Sequence, residues 1–192
     1  MATNTPKTKP ITLKGTAFWA HLSKPEKYQG TEIGYSIEVK LESEEANKKL
    51  ENYLENFWEE QKTERFSDKK ISAKARPHLP SKEDNEGNTV FKAKTKHFFE
   101  DKVTGERINR TLPVFDSTGK PLPAGTLVGN GSKVQINVTP SAYCLSSTNF
   151  GVKLLLNAVL VSELVEYNSS KSASDYGFEV TEDNEVDDEA EF

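Results

Sequence analysis

Apolar and polar residues alternate along most of the chain. Ile11, Leu13, Ala17 and Trp19 take one parity and Thr12, Lys14, Thr16 and Phe18 the other, which predicts a first strand over residues 11–22. The Pro and Gly of residues 23–30 (SKPEKYQG) predict a loop. Ile33, Tyr35, Ile37, Val39 and Leu41 then alternate with Gly34, Ser36, Glu38 and Lys40, giving a strand with one apolar and one polar face. The period changes after Ser43. Ala46, Leu50, Tyr53, Leu54, Phe57, Trp58 and Gln61 recur every three or four residues, which predicts an amphipathic helix over about residues 44–65. Ser43 is a ready N-cap, and Glu44 and Glu45 complement the helix dipole. Phe57 and Trp58 fit the buried stripe of that helix better than a ligand-stacking role.

Residues 67–88 are polar and irregular, and a turn is expected at Glu86-Gly87-Asn88. Over residues 90–99 (VFKAKTKHFF), Phe91, Ala93, Thr95 and His97 share one strand face and Lys92, Lys94, Lys96 and Phe98 the other. A hairpin through residues 103–105 then leads into a strand over residues 107–115. Residues 116–132 are rich in Gly and Pro and read as loop. Residues 133–139 alternate again, residues 143–149 read as a short loop, and residues 151–167 form a long apolar strand, bent or shared between two sheet surfaces. The count is five to seven strands and one inserted helix, with no βαβ rhythm. That is an antiparallel barrel or a sandwich, and alternation alone does not separate them.

Charge changes this picture. The formal net charge is −5 over 192 residues, yet residues 175–192 hold nine acids and no Lys or Arg. Residues 1–174 therefore carry +4, and because residues 42–64 hold eight acids against three lysines, the remainder of that body carries +9. A cationic body beside an anionic tail points to a polyanion-binding surface with an interaction segment. Residues 168–192 offer too little apolar surface to offset ordering entropy and are expected to be disordered, and residues 1–10 read as a flexible lead.

Catalytic chemistry finds little support. Cys144 is the only cysteine, so neither an intramolecular disulfide nor a Cys-based metal motif is available. His21, His78 and His97 form no metal-ligating pair, and no nucleophile triad or phosphate-binding Gly loop is present. No enzyme activity, metal or cofactor is expected. The N-terminus lacks the apolar run of a secretory signal, and no stretch approaches the ~20 apolar residues that span a bilayer. A cytoplasmic location, with no membrane partner, is the expectation.

Several ordered segments carry a resemblance. Residues 13–41 contain GTAFWAHLSKP followed by GYSIEVKL; residues 113–123 read PVFDSTGKPLP; residues 128–134 read VGNGSKV; residues 150–154 read FGVKL and residues 164–167 LVEY. Together with an acidic C-terminus ending in Phe192, this set resembles the single-stranded DNA-binding proteins of tailed bacteriophages. It covers residues 11–167 and the tail. The resemblance implies an OB fold, a five-stranded Greek-key barrel, here with extra strands and the inserted helix. It also implies sequence-independent binding of single-stranded DNA in phage replication, recombination and repair, in the cytoplasm of a bacterial host. The long acidic helix and the Ser/Lys-rich spacer 168–174 depart from that pattern and leave the partners open.

A sequence-tolerant binder needs cations along a groove and flat rings for stacking. Lys92, Lys94 and Lys96 supply a cationic stripe at roughly 6.5–7 Å spacing, and Phe98 continues it as the first candidate for stacking. Trp19 and Tyr143, near strand ends, are further stacking candidates. Tyr28 is a weaker one, and Tyr35 and Phe91 fit core packing better. Arg76, Arg107 and Arg110 are candidate phosphate clamps. Asp183, Glu185, Asp187, Asp188, Glu189, Glu191 and Phe192 mimic a phosphate chain ending in a ring. They are expected to compete with DNA for the groove and to dock replication proteins such as a polymerase or a helicase/primase. A homodimer stays compatible with the sequence. The rival reading is an acidic interaction protein or DNA mimic that inhibits a host factor; the cationic body argues against it.

Overall fold

The structure, a computed structural model, describes residues 8–166. The tail residues named above, and Tyr167 at the end of the expected closing strand, lie outside that range.

The first strand, β1 (Ile11–Tyr28), is longer than alternation suggests. The stretch expected to be loop continues as strand and meets β2 (Thr31–Leu41) across the two-residue turn Gln29-Gly30, both with positive φ. Pro25 is tolerated because it falls where the pairing slips, between His21 opposite Ser36 and Glu26 opposite Gly34, and so breaks no ladder bond. A second slip between Phe18 and His21 turns Trp19 out of the face it was expected to share with Ala17. Its φ is 47° and it is 66% exposed.

The polar parity of β2 is not solvated as its pattern suggests. Ser36 and Glu38 are buried, Ser36 donating to Glu26 Oε2 at 2.8 Å, and Glu38 Oε1 lying 2.7 Å from Lys82 Nζ. Ile33, at the open end, is instead half exposed.

The helix α1 (Glu44–Arg65) falls where its periodicity places it, with the Ser43 side chain accepting from Ala46 N. Leu50, Leu54, Phe57, Trp58 and Gln61 form its buried face, which packs on β2 and on β8 (Lys133–Cys144) and β9 (Phe150–Glu163). Trp58 stacks between Phe66 and Phe150, with centroids at 5.6 and 5.1 Å. Burying such rings stabilises the fold by about 1.5–3 kcal/mol each.

Residues 67–88 contain one short strand, β3 (Ser81–Glu83), which pairs with β4 (Thr89–Thr95). The lysine-bearing strand ends at Thr95 rather than running to Phe99. Phe98 opens a separate two-stranded ribbon, β5 (Phe98–Glu100) with β6 (Arg107–Asn109). The ribbon is fixed to the end of β4 by Arg110, whose backbone N–H donates to His97 O at 2.6 Å and whose guanidinium donates to Thr95 Oγ1 at 3.1 Å. The strand expected over residues 107–115 is thus two: β6 in the ribbon and β7 (Val114–Phe115) on the edge of the main sheet. Likewise β8 runs through Tyr143 and Cys144, and the loop is confined to residues 145–149.

The main sheet has the order β3-β4-β2-β1-β8-β9-β7, and a further β4–β9 pairing closes five of these strands into a ring. Four seams of the ring are antiparallel and the closing one, Ala93 opposite Leu154, is parallel. The architecture is a five-stranded Greek-key barrel of OB type with extra strands. Its interior holds Ala17, Ile37, Val39, Phe91, Ala93, Ile136, Val138, Leu154 and Leu156. Closure demands close backbone approach at two glycines. At Gly34, φ is +124° and a Cβ would run into the Thr95 carbonyl. At Gly151 a side chain would collide with His78, whose backbone bridges it.

Candidate nucleic-acid interface

On the outer face of the β4–β9 seam lies a groove of about 480 Å³. Its floor carries Lys92 and Lys94 of β4 and Lys153 of β9; Leu79 and Pro80 form one wall and Tyr143 and Leu145 line it from β8 and the tip beyond. Strand geometry accounts for the cations. Lys92 and Lys94 share the outward parity of β4 while Phe91, Ala93 and Thr95 point into the barrel. The parallel register sets Lys92 beside Lys153 on the neighbouring strand.

The segment that forms the wall is tied down by backbone hydrogen bonds. His78 N donates to Phe150 O at 2.9 Å, Val152 N to His78 O at 2.9 Å, and Lys92 N to Pro80 O at 2.8 Å. Ser72 N also donates to Ser147 O at 3.0 Å, so residues 72–80 follow the β8–β9 hairpin and carry exposed Arg76 along it.

The three lysines are not equivalent. Lys92 Nζ sits 3.8 Å from Glu38 Oε1, a carboxylate 7% exposed that also holds Lys82. Lys94 and Lys153 are exposed and pair with no carboxylate among the described residues. Tyr143 is half-buried at the groove wall, and burial raises its phenol above the ordinary value of 10.0, so the ring is neutral at physiological pH. Leu145, 76% exposed, extends apolar surface at the hairpin tip.

Of the residues singled out from the sequence, Lys92, Lys94 and Tyr143 therefore meet in one groove, with Arg76 on the adjoining segment. The others do not join them there. Phe98 sits in the ribbon with the Arg107 guanidinium 3.5 Å from its ring centre and Lys96 Nζ at 5.7 Å. One face of that ring is already occupied. Arg110 is spent on anchoring the ribbon. Trp19 lies beside the loop before β8, its backbone N–H donating to Asn130 Oδ1 at 2.8 Å, whereas Tyr143 is at the far end of β8. Lys153 escaped the sequence reading, although it is the one charge in the apolar run FGVKLLLNAVLV.

Among the described residues no group of His, Cys, Asp and Glu is placed to hold a metal ion, and no helix is long and apolar enough to cross a membrane.

Comparison with known proteins agrees with this architecture. The chain is 29% identical over 121 residues to the single-stranded DNA-binding protein of Enterobacteria phage T3, covering 59% of this chain and 52% of that protein. It is 31% identical over 109 residues to the single-stranded DNA-binding protein of Escherichia phage T7, covering 56% and 46%. The matched stretch thus spans about half the length of these relatives. In three dimensions it is similar to gp2.5, a single-stranded DNA-binding protein encoded by bacteriophage T7, with a TM-score of 0.68 at 25% identity, covering 93% of this chain and 98% of that one. The family model described as single-stranded DNA-binding protein, bacteriophage T7, matches residues 32–164, and the chain belongs to that family.

Proposed function

We propose that the protein binds single-stranded DNA without sequence preference, through the groove of Lys92, Lys94, Lys153 and Tyr143. The observation that carries this reading is the convergence of three cations, two of them without a carboxylate partner among the described residues, with a neutral ring on one face of an OB barrel. Cations at strand spacing meet phosphates, and a ring beside them offers a stacking surface that every base can use. No base-reading set of donors and acceptors is needed for such binding. Membership of a family named for single-stranded DNA binding supports the same function. In this reading the protein protects and organises single strands during phage DNA replication, recombination and repair, in the host cytoplasm.

The acidic tail has a separate part. Nine carboxylates ending in Phe192 compete with DNA for the cationic groove, and the same segment docks replication proteins once DNA displaces it. A tethered competitor has a high effective concentration, so weak contacts suffice. Deleting residues 175–192 is expected to tighten DNA binding at low salt; unchanged or weaker binding would remove this role.

The groove itself is tested by the double variant Lys94→Gln/Lys153→Gln. Each phosphate contact contributes about 0.7 to the salt slope of single-strand binding, so the slope is expected to fall by about 1.4. An unaltered slope would refute the assignment.

A further inference from the structure

The geometry points to a second phosphate-binding site on the opposite side of the barrel, at Lys14, Lys40 and Lys133, which takes the continuation of the same nucleic-acid strand. The inference rests on the reading of the first groove given above. A groove of about 710 Å³ lies on the outer face of β2, β1 and β8, where Lys14, Lys40 and Lys133 surround Thr16 and the half-buried ring of Phe18. The pairing of Lys14 with Gln135, Thr16 with Lys133 and Thr16 with Lys40 brings these cations together from three strands. None of the three forms an ion pair within the described residues; Lys133 Nζ instead donates to Thr16 Oγ1 at 2.8 Å. Two carboxylates, Glu42 and Glu163, stand at the groove, and Asp84 feels the charge of Lys40. An adjoining hollow shares Lys14 and adds Lys49 and the exposed ring of Tyr53.

What joins the two grooves is β8. Its outward row runs Lys133, Gln135, Asn137, Thr139, Ser141, Tyr143, from the second groove to the first, without a carboxylate. Glu163 of β9 faces Lys133 at the start of this row; beyond it the outward neighbours Thr12 and Lys14 on β1 and Lys153, Leu155 and Asn157 on β9 are free of acids. Asn157 donates to Asn137 Oδ1 at 3.0 Å and to Thr139 Oγ1 at 2.8 Å, which holds this face in a fixed polar arrangement. Ten residue steps along β8 span roughly 33 Å. A strand laid along them falls within the about 4–16 nucleotides that one OB fold covers. Three lysines outnumber the two carboxylates at one end, three lysines stand at the other, and the row from Gln135 to Tyr143 between them carries no acid, which is complementary to a phosphodiester chain and not to a neutral or basic partner.

The test uses the full chain and its Lys14→Gln/Lys40→Gln/Lys133→Gln variant, folded by circular dichroism, with oligo-dT of about 6 and about 20 nucleotides. For the long strand the salt slope is expected to fall by about 2, so that the affinity lost between 50 and 200 mM salt shrinks by about 15- to 20-fold, while the short strand binds as before. Equal slopes for variant and wild type on the long strand would overturn the proposal. An equal change on both lengths would assign the groove to the acidic tail, released to compete in the first groove, and would overturn it too. Failure of the wild-type protein to bind either oligonucleotide would instead refute the first groove, and this site with it.

Discussion

Glu38 couples the stability of the barrel to the charge of the groove. Its carboxylate is 7% exposed, 2.7 Å from Lys82 Nζ and 3.8 Å from Lys92 Nζ, and Lys92 also lines the groove. Glu38→Gln keeps the shape and removes the charge. Two effects of opposite sign follow. Stability falls, because hydrogen bonds to a charged group contribute about 1.5–3 kcal/mol. The penalty stays at the lower part of that range because Lys82 and Lys92 remain 53% and 41% exposed and keep their water when the carboxylate is lost. For a body of this size that corresponds to a Tm lower by about 3–6 °C. DNA binding strengthens, because Lys92 is released to meet a phosphate. One further phosphate contact raises the single-strand salt slope by about 0.7 and tightens binding at low salt. Urea melts and oligo-dT titrations over a salt series measure both. A Glu38→Gln protein that is less stable but shows the wild-type slope, or a lower one, would refute the idea that Glu38 holds Lys92 back from the ligand.

Three other outcomes follow from the same structure. Tyr143→Ala is expected to weaken binding by about 1–3 kcal/mol, while Tyr143→Phe keeps nearly all of it; equal losses for both would show that the hydroxyl, not the ring, makes the contact. Trp58→Ala leaves a cavity between Phe66 and Phe150 and is expected to cost about 3–5 kcal/mol in chemical denaturation, without moving any lysine of the groove. Asp84, Asp101 and Asp116 are held below the ordinary 3.8, chiefly by hydrogen bonds from Asn88 N–H, Thr104 N–H and the Thr118 side chain respectively. Because their folded values are depressed, the stability they add is present above pH 3.8 and is lost as pH falls through the lower folded values; NMR titration giving values at or above 3.8 would contradict this.

Local pattern carried much of the fold. The helix was legible because Leu50, Leu54, Phe57 and Trp58 keep helical spacing behind a Ser N-cap, and β8 because Val134, Ile136 and Val138 alternate strictly. What failed was decided by contacts between distant residues. Trp19 leaves its face because β1 slips against β2, and the side chain of Asn130, 111 positions away, accepts from its backbone N–H. The lysine strand stops at Thr95 because Arg110 fastens the ribbon there. The covered polar face of β2 depends on Lys82 and Glu26 reaching back across it. The groove was half legible. Lys92 and Lys94 stand out by alternation, but Lys153 is a single cation in an apolar run, and only the parallel closure of β9 on β4 sets it beside them.

The central claim is tested most directly by fluorescence-anisotropy titration of the full chain with labelled oligo-dT at several salt concentrations, against a duplex competitor. Tight binding to the single strand, weakening with salt and little affected by the duplex, is the predicted result. Absence of binding at low salt, in the full chain and in one lacking residues 175–192 alike, would contradict the account.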